Sequence, residues 1–273
     1  MSVFTIDRDK CDGCGVCSVE CRAGVIAMRK PETLPSLAKG GEGMCINCGH
    51  CVAVCPTGAL RHRAMNPEEC APIKKRLLPS ADQVEHLMKS RRSVRVYKKK
   101  PVPRETLAKL IDIARYAPSG GNIQPVHWLV IEDREEIKRL GGLAVDWMRS
   151  MLQAIPGLDD QSHLGLIVSA CDRGIDMIMH EAPHLIVAHA QIQFGLLQAD
   201  CDIALTYLEL AAYSMGLGAC WNGLFYMTSN HPTVKEALQL PEGHQCFGAM
   251  LIGYPKYKYR RIPIRKEPKV VWR

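Results

Sequence analysis

No apolar run in the 273-residue sequence approaches the length of a membrane span, because the most apolar stretches are interrupted by His184, His189 and Asp200. The N-terminus, MSVFTIDRDKC, lacks the apolar stretch of a secretory signal. No G-x-G-x-x-G fingerprint of a resident dinucleotide is present, and no side chain reads as a convincing general acid. These absences argue against a membrane protein and against export. Cysteine, by contrast, is plentiful at thirteen residues. Without an export signal, that count points away from a disulfide framework and towards a reducing cytoplasm.

Eight of the cysteines form two copies of C-x2-C-x2-C-x3-C, namely Cys11, Cys14, Cys17 and Cys21, then Cys45, Cys48, Cys51 and Cys55. The copies align at a constant offset of 34 residues, with Gly15/Gly49 and Gly24/Gly58 in register. Glycine at such places lets backbone N–H groups crowd the sulfurs. Four thiolates at this spacing suit the corners of an iron–sulfur cubane, whereas structural zinc more often shows two C-x2-C pairs with a long spacer. The pattern is the bacterial ferredoxin signature, and the chain resembles two-cluster ferredoxins. That resemblance implies crossed ligation. Cys11, Cys14, Cys17 and Cys55 hold one [4Fe-4S] cluster, and Cys45, Cys48, Cys51 and Cys21 hold the other. It also implies an anaerobic or microaerophilic prokaryote, because exposed cubanes are oxygen-labile. One departure is Arg22, where the family and the second copy (Pro56) have proline. A cation there is expected to raise the potential of one cluster.

The chain is long enough for one small and one larger domain. Its apolar fraction, 47 %, is that of an ordinary globular protein. The formal charge of +7 does not signal nucleic-acid binding. Each oxidised cluster with its thiolates carries roughly −2, so much of the basic excess offsets the cofactors.

Residues 1–65 read as the cluster domain, with strands at Val3–Ile6 and Val25–Met28 and a Pro- and Gly-rich loop over 30–43. Residues 66–80 read as a linker containing Cys70, taken as a thiol without a role. Residues 81–273 form the second domain. Ser80 and Gln83 make a capping box for a helix whose apolar face is Val84, Leu87 and Met88. Pro103 opens a second helix striped by Leu107, Leu110, Ile111 and Ala114. A strand is expected over 126–131, helices over 134–153 and 162–179, and a buried strand at Leu185–Ala188. A long helix over about 199–215 ends at Gly216. A loop over 218–230, a short helix near 232–239 and a strand over about 246–253 complete the pattern.

Arg91-Arg92-Ser93-x-Arg95 concentrates three guanidinium groups and a hydroxyl at a turn, a donor set matched to phosphate. Alone, such a run reads as a solvated face. It gains meaning beside Pro118-Ser119-x-x-Asn122-x-Gln124-Pro125, Gly216-Leu217-Gly218-Ala219-Cys220-Trp221-Asn222-Gly223, and Gly253-Tyr254-Pro255 with Tyr259-Arg260-Arg261. In this order the segments resemble the nitroreductase family of FMN flavoproteins, over about residues 82–273. The resemblance implies an α+β fold with FMN at a homodimer interface. Arg91, Arg92, Ser93 and Arg95 then hold the phosphate and ribityl end, joined by Arg260 or Arg261. Asn122 and Gln124 offer amides to the flavin's polar edge. Cys220, Trp221, Asn222 and Gly223 line the ring, with the N–H groups of Asn222 and Gly223 near N5 and O4. Val126 where the family usually has Trp, with Trp128 two residues later, and Asn222 where some members carry an acidic residue, alter the substrate pocket rather than flavin binding. Cys171, Cys201, Cys220 and Cys246 read as small buried hydrophobes, and His180 and His184 as structural. The tail beyond Pro255, with Ile262, Ile264, Val270, Val271 and Trp272, reads as an arm embracing a partner subunit.

The expected protein is a cytoplasmic homodimeric FMN oxidoreductase with two [4Fe-4S] clusters, binding neither nucleic acid nor membrane. The clusters feed single electrons to FMN, which reduces a nitro, quinone or enone-like electron acceptor. The electron donor is an external ferredoxin or NAD(P)H. In one alternative NAD(P)H reduces the flavin and the clusters export electrons to a partner. In another the protein is a non-enzymatic carrier or redox sensor.

Overall fold

A computed structural model describes residues 2–28, 33–155, 157–158, 163–192 and 195–273. Backbone contacts divide the chain into two units. One comprises Met1–Leu78 with Gly121–Ile123, and the other comprises Pro79–Gly120 with Gln124–Arg273.

The first unit is a doubled motif. Strand β1 (Phe4–Ile6) is followed by α1 (Val16–Glu20), β2 (Ile26–Ala27) and β3 (Ser36–Leu37). Then come α2 (His50–Ala53) and β4 (Leu60–His62). The strands pair antiparallel as β1 with β4 and β2 with β3. Each short helix starts at a glycine in the left-handed region, Gly15 at φ 75° and Gly49 at φ 73°. A Cβ there would fall on a methionine sulfur, Met28 Sδ or Met65 Sδ. The left-handed φ favours glycine at both places, and a Cβ there would also push a methionine tip aside. Val3, Phe4, Val25, Ile26, Val52 and Leu60 make the buried apolar core, with Cys17. The loop expected over 30–43 contains β3 and a 3-10 turn at Gly41–Met44; residues 30–32 lie outside the described residues. Two further 3-10 turns, Pro67–Glu69 and Lys75–Leu77, punctuate the expected linker.

The second unit is built on a four-stranded antiparallel sheet in the order β5 (His127–Ile131), β6 (His184–Gln191), β8 (His244–Gly253), β7 (Gly218–Trp221). Its early elements are α3 (Ala81–Ser90), α4 (Arg104–Ala114), β5 (His127–Ile131) and α5 (Arg134–Ala154). They are followed by α6 (Leu164–Asp172), β6 (His184–Gln191) and α7 (Leu197–Ser214). The last are β7 (Gly218–Trp221), α8 (Gly223–Thr228), α9 (Pro232–Leu238) and β8 (His244–Gly253). Ser80 accepts from Gln83 N–H and Gln83 answers to Ser80 N–H, the reciprocal cap that the sequence predicts. The central strands β6 and β8 are buried almost throughout, which is why they read as near-continuous apolar runs. One face packs Ile137, Leu140, Met148, Leu185, Val187 and Phe225. The other packs Leu107, Leu110, Leu205, Leu208, Ile186 and Met250.

Two expectations are corrected. The helix expected over 162–179 is the shorter α6. Gly174, at φ 83°, follows its C-terminus, and Asp176 then accepts the N–H groups of Ile178, Met179 and Glu181 to build a turn. Position 162 lies outside the described residues. The loop expected over 218–230 contains a strand and a helix. Residues 218–221 pair with the end of β8, and the Asn222 side chain caps α8 by accepting Phe225 N–H at 3.1 Å. Only the neighbouring strand makes those four residues a strand, so local propensity misses them.

Candidate functional site

The eight motif cysteines line two separate hollows in the first unit. Cys11, Cys14, Cys17 and Cys55 border one, with Ile6, Ala59 and Leu60 around them. Cys21, Cys45, Cys48 and Cys51 border the other, with Phe4, Ile26 and His62. Electrostatics repeat the grouping. Burial pushes the Cys17 thiol up, and Cys55 and Cys14 add to the push. Burial pushes Cys51 up to about 11, with Cys21 and Cys48 adding to it. Among the described residues no three His, Cys, Asp or Glu side chains converge as one metal ion would require. Four thiols ringing an apolar hollow, with glycines where a Cβ would not fit, suit a compact multi-iron cluster better than a lone ion. Cys21 follows directly on α1 and Cys55 lies two residues beyond α2, and each borders the hollow of the other motif.

In the second unit, three of the four sequence-singled segments meet. Ser93 pairs with Ala219 of β7 as a parallel bridge, and Val94 N–H donates to Ala219 O at 2.9 Å. A Cβ on Gly218 would lie 2.7 Å from Val94, so the approach depends on glycine. On the far side, Tyr97 bridges Pro255, Lys98 N–H donates to Tyr254 O, and Lys256 N–H donates to Val96 O. The stretch from Ser93 to Lys98 is thereby stitched between β7 and the chain that leaves β8. Tyr97, buried, donates its hydroxyl to Val94 O.

Arg91 caps the end of α3, and its Nη1 donates to Glu209 Oε1 of α7 at 2.6 Å. Glu209 is buried; burial pushes its carboxyl up and Arg91 opposes the push. Sequence reasoning missed Glu209, although an acid inside the apolar stretch of α7 was a readable signal. Tyr213 reinforces the joint by donating to Ser90 Oγ at 2.8 Å. Arg92 is half-buried and Arg95 exposed. Cys220 is buried; burial raises its thiol pKa, the nearby Arg95 and Arg91 lower it, and Glu209 raises it. Both arginines therefore lie near β7.

The remaining residues are placed differently. Asn122 groups with the first unit, where its amide donates to the carbonyls of Ile46 and Asn47 at 3.1 Å each. Gln124, at φ 51°, donates its N–H to Ser119 Oγ. It borders a cavity with Trp128, Arg115 and the buried Asp200, whose Oδ1 accepts Gly120 N–H at 2.9 Å. Trp221 is half-buried against Gly248. Asn222 N–H, expected near flavin N5 and O4, donates to Ala249 O at 2.8 Å across the sheet. Gly223 opens α8, where backbone N–H groups have no intrahelical acceptor. Arg260 and Arg261 lie in the exposed tail. Arg22 is exposed.

With Arg91–Arg95 and Gly218–Gly223 side by side, the donor set fits an anionic phosphate next to a planar ring. Comparison with known proteins agrees with both halves of the chain. Residues 10–59 match the 4Fe-4S dicluster domain, and residues 88–254 match the Nitroreductase family. A putative NADH dehydrogenase/NAD(P)H nitroreductase of Methanothermobacter thermautotrophicus is 28 % identical over 168 residues, 62 % of this chain and 75 % of the relative. A protein of the same description from Archaeoglobus fulgidus is 29 % identical over 167 residues, 61 % of this chain and 82 % of its own. A Bacteroides fragilis nitroreductase with bound FMN has the same fold, with a TM-score of 0.55 at 22 % identity over 70 % of this chain and 99 % of that one. Because the family match spans more than half of the sequence, from α3 to the end of β8, this chain belongs to the nitroreductase family and carries a 4Fe-4S dicluster segment ahead of that domain.

Proposed function

We propose that the protein is a homodimeric FMN-dependent oxidoreductase of a reducing cytoplasm, in which two [4Fe-4S] clusters relay single electrons to the flavin for reduction of a small nitro, quinone or enone-like electrophile. The observation that carries this reading is the joining of Arg91–Arg95 to Gly218–Trp221, in a chain whose eight motif thiols ring two hollows. Bound there, the flavin supplies hydride transfer and the clusters supply one-electron transfer. The chain's own groups bind and orient. Arg91, Arg92, Ser93 and Arg95 receive the phosphate and ribityl end, with Arg260 or Arg261 brought in by the tail. Trp221 and Gly223 border the ring, and Gly223 N–H offers a donor to negative charge arriving there. Gln124 serves the polar edge, whereas the Asn122 amide is engaged by the carbonyls of Ile46 and Asn47.

The dimer is supported by apolar side chains left exposed in the single chain. Met88 on α3 and Ile203 and Tyr207 on α7 are partly exposed, and Ile264, Val271 and Trp272 in the tail are almost fully exposed. The proposed arm would bury the tail residues on a second copy.

The names of the archaeal relatives favour a second reading, in which NAD(P)H reduces the flavin and the clusters export electrons. Anaerobic stopped-flow separates the two. Flavin bleaching only with reduced ferredoxin supports the inward path; rapid bleaching by NAD(P)H supports the outward one. Purified protein lacking flavin, or lacking iron and sulfide, refutes both.

A further inference from the structure

The two thiol hollows are near copies, and a buried histidine distinguishes one of them. His62, at the end of β4, borders the hollow of Cys21, Cys45, Cys48 and Cys51. Its Nε2 stands 3.4 Å from Cys45 Sγ. Its other nitrogen, Nδ1, accepts the N–H of Ala64 at 3.1 Å. A neutral imidazole has one N–H, and an Nδ1 that accepts leaves the proton on Nε2. The tautomer is thus fixed by the backbone, and the N–H aims at the sulfur. His62 is 4 % exposed, so water does not compete for that proton. Its backbone is also tied, pairing with Phe4 across the sheet and with Met65 in the following turn.

Thirty-four positions earlier, the matching place in the first copy is Met28, which has no N–H to give. The hollow of Cys11, Cys14, Cys17 and Cys55 does have a hydroxyl nearby, Thr57 Oγ1 at 3.7 Å from Cys55 Sγ. Thr57 is exposed, and a hydroxyl there can turn to solvent instead. The sequence suggests Arg22 as the source of any inequality between the clusters. Arg22 is exposed, and water screens it.

We infer that His62 is a positioning residue of the electron path: its Nε2–H, donated to the Cys45 sulfur, holds the cluster of Cys21, Cys45, Cys48 and Cys51 at a higher reduction potential than its twin. The reason is electrostatic. A reduced cluster carries one more negative charge, and a donor aimed at a ligand sulfur stabilises that charge most. This inference rests on the two-cluster reading proposed above. Electrons entering the module would settle first on the His62-side cluster. The other cluster is the twin that fills last.

The test uses the full-length protein, anaerobically prepared, with both clusters loaded. Titration followed by the paramagnetic signals of the reduced clusters should resolve two unequal potentials. His62→Leu should lower the higher one and leave the other in place. His62→Gln, which keeps an N–H donor, should restore part of the shift. Potentials that stay where they were, or that move together, overturn the inference. If His62→Leu fails to fold, wild-type protein labelled with 15N-histidine provides a second readout. Pulsed electron resonance should then show coupling of a histidine nitrogen to the reduced cluster of higher potential, kept when His50, which also borders that hollow, is changed by His50→Val; absence of that coupling also overturns the inference. Iron and sulfide below the content of two clusters in the wild type would instead refute the two-cluster reading.

Discussion

The two units of this chain solve the problem of stability in opposite ways. The first has short strands, helices of four and five residues, and a core of a few side chains in which Cys17 counts as a member. The second has a four-stranded sheet with an extensive core on each face. A unit of under about 80 residues with so little apolar surface rarely stands without a staple. In the proposed reading the ligands of the two clusters would be that staple, and folding and electron transfer would share the same eight sulfurs. In the second unit the core stands on its own sheet, and the segments proposed to hold the flavin are laid on its edge. The difference teaches where each function is vulnerable: the cluster module to loss of metal, the flavin module to changes at a few close backbone contacts.

The largest expected effect breaks the first half of that comparison. Cys48→Ala should abolish ferredoxin-driven turnover while leaving chemically reduced flavin competent, as measured by anaerobic assays with ferredoxin and with dithionite. Loss of both activities would show that the second unit depends on the first for its fold. Next, Arg91→Ala should destabilise the second unit by about 3 kcal/mol, because it strands the buried carboxylate of Glu209 without its partner. It should also lower FMN retention. Thermal unfolding and flavin content check the two effects separately, and restoring stability with the double variant Arg91→Ala, Glu209→Leu would confirm the cause. Gly218→Ala should cost about 2 kcal/mol, since the added methyl would overlap Val94. That change loosens the join between Ser93 and Ala219 without removing a charge, and denaturant unfolding measures it.

The smallest effect sharpens the comparison by assigning acid sensitivity to the second unit. His189 Nδ1 lies 2.9 Å from His244 Nδ1, and the His127 ring packs against both. Burial pushes His189 from 6.5 down to about 4, and the His244 and His127 charges add to the push. Between these values the unfolded chain binds a proton that the folded one refuses, so stability falls as pH drops from about 6.5 to about 4 and flattens below. Above that window this histidine contributes no pH dependence. His189→Gln should flatten the profile, as read by unfolding at pH 5 and pH 7.5.

Much of this was readable from the chain. The doubled cysteine motif shows itself because a cluster needs thiols at fixed short spacing, and the glycines Gly15 and Gly49 mark the same turn in each copy. The cap at Ser80 and the stripe of α4 were equally plain, because each is local. Other features were hidden for a physical reason. Residues 218–221 form a strand only because β8 lies beside them, and Asn222 N–H is spent on Ala249 across that pairing. The stop of α6 depended on Gly174 and on Asp176 gathering three backbone N–H groups.

The order of residues alone determined the doubled sulfur pattern, the division into two parts and the basic segment after α3. Those depend on spacing along the chain, which sequence states outright. Tertiary structure decided which sulfurs share a hollow, which carboxylate holds Arg91 and which imidazole nitrogen carries its proton. Those depend on distance and burial between residues far apart in the chain, and only the folded backbone sets them.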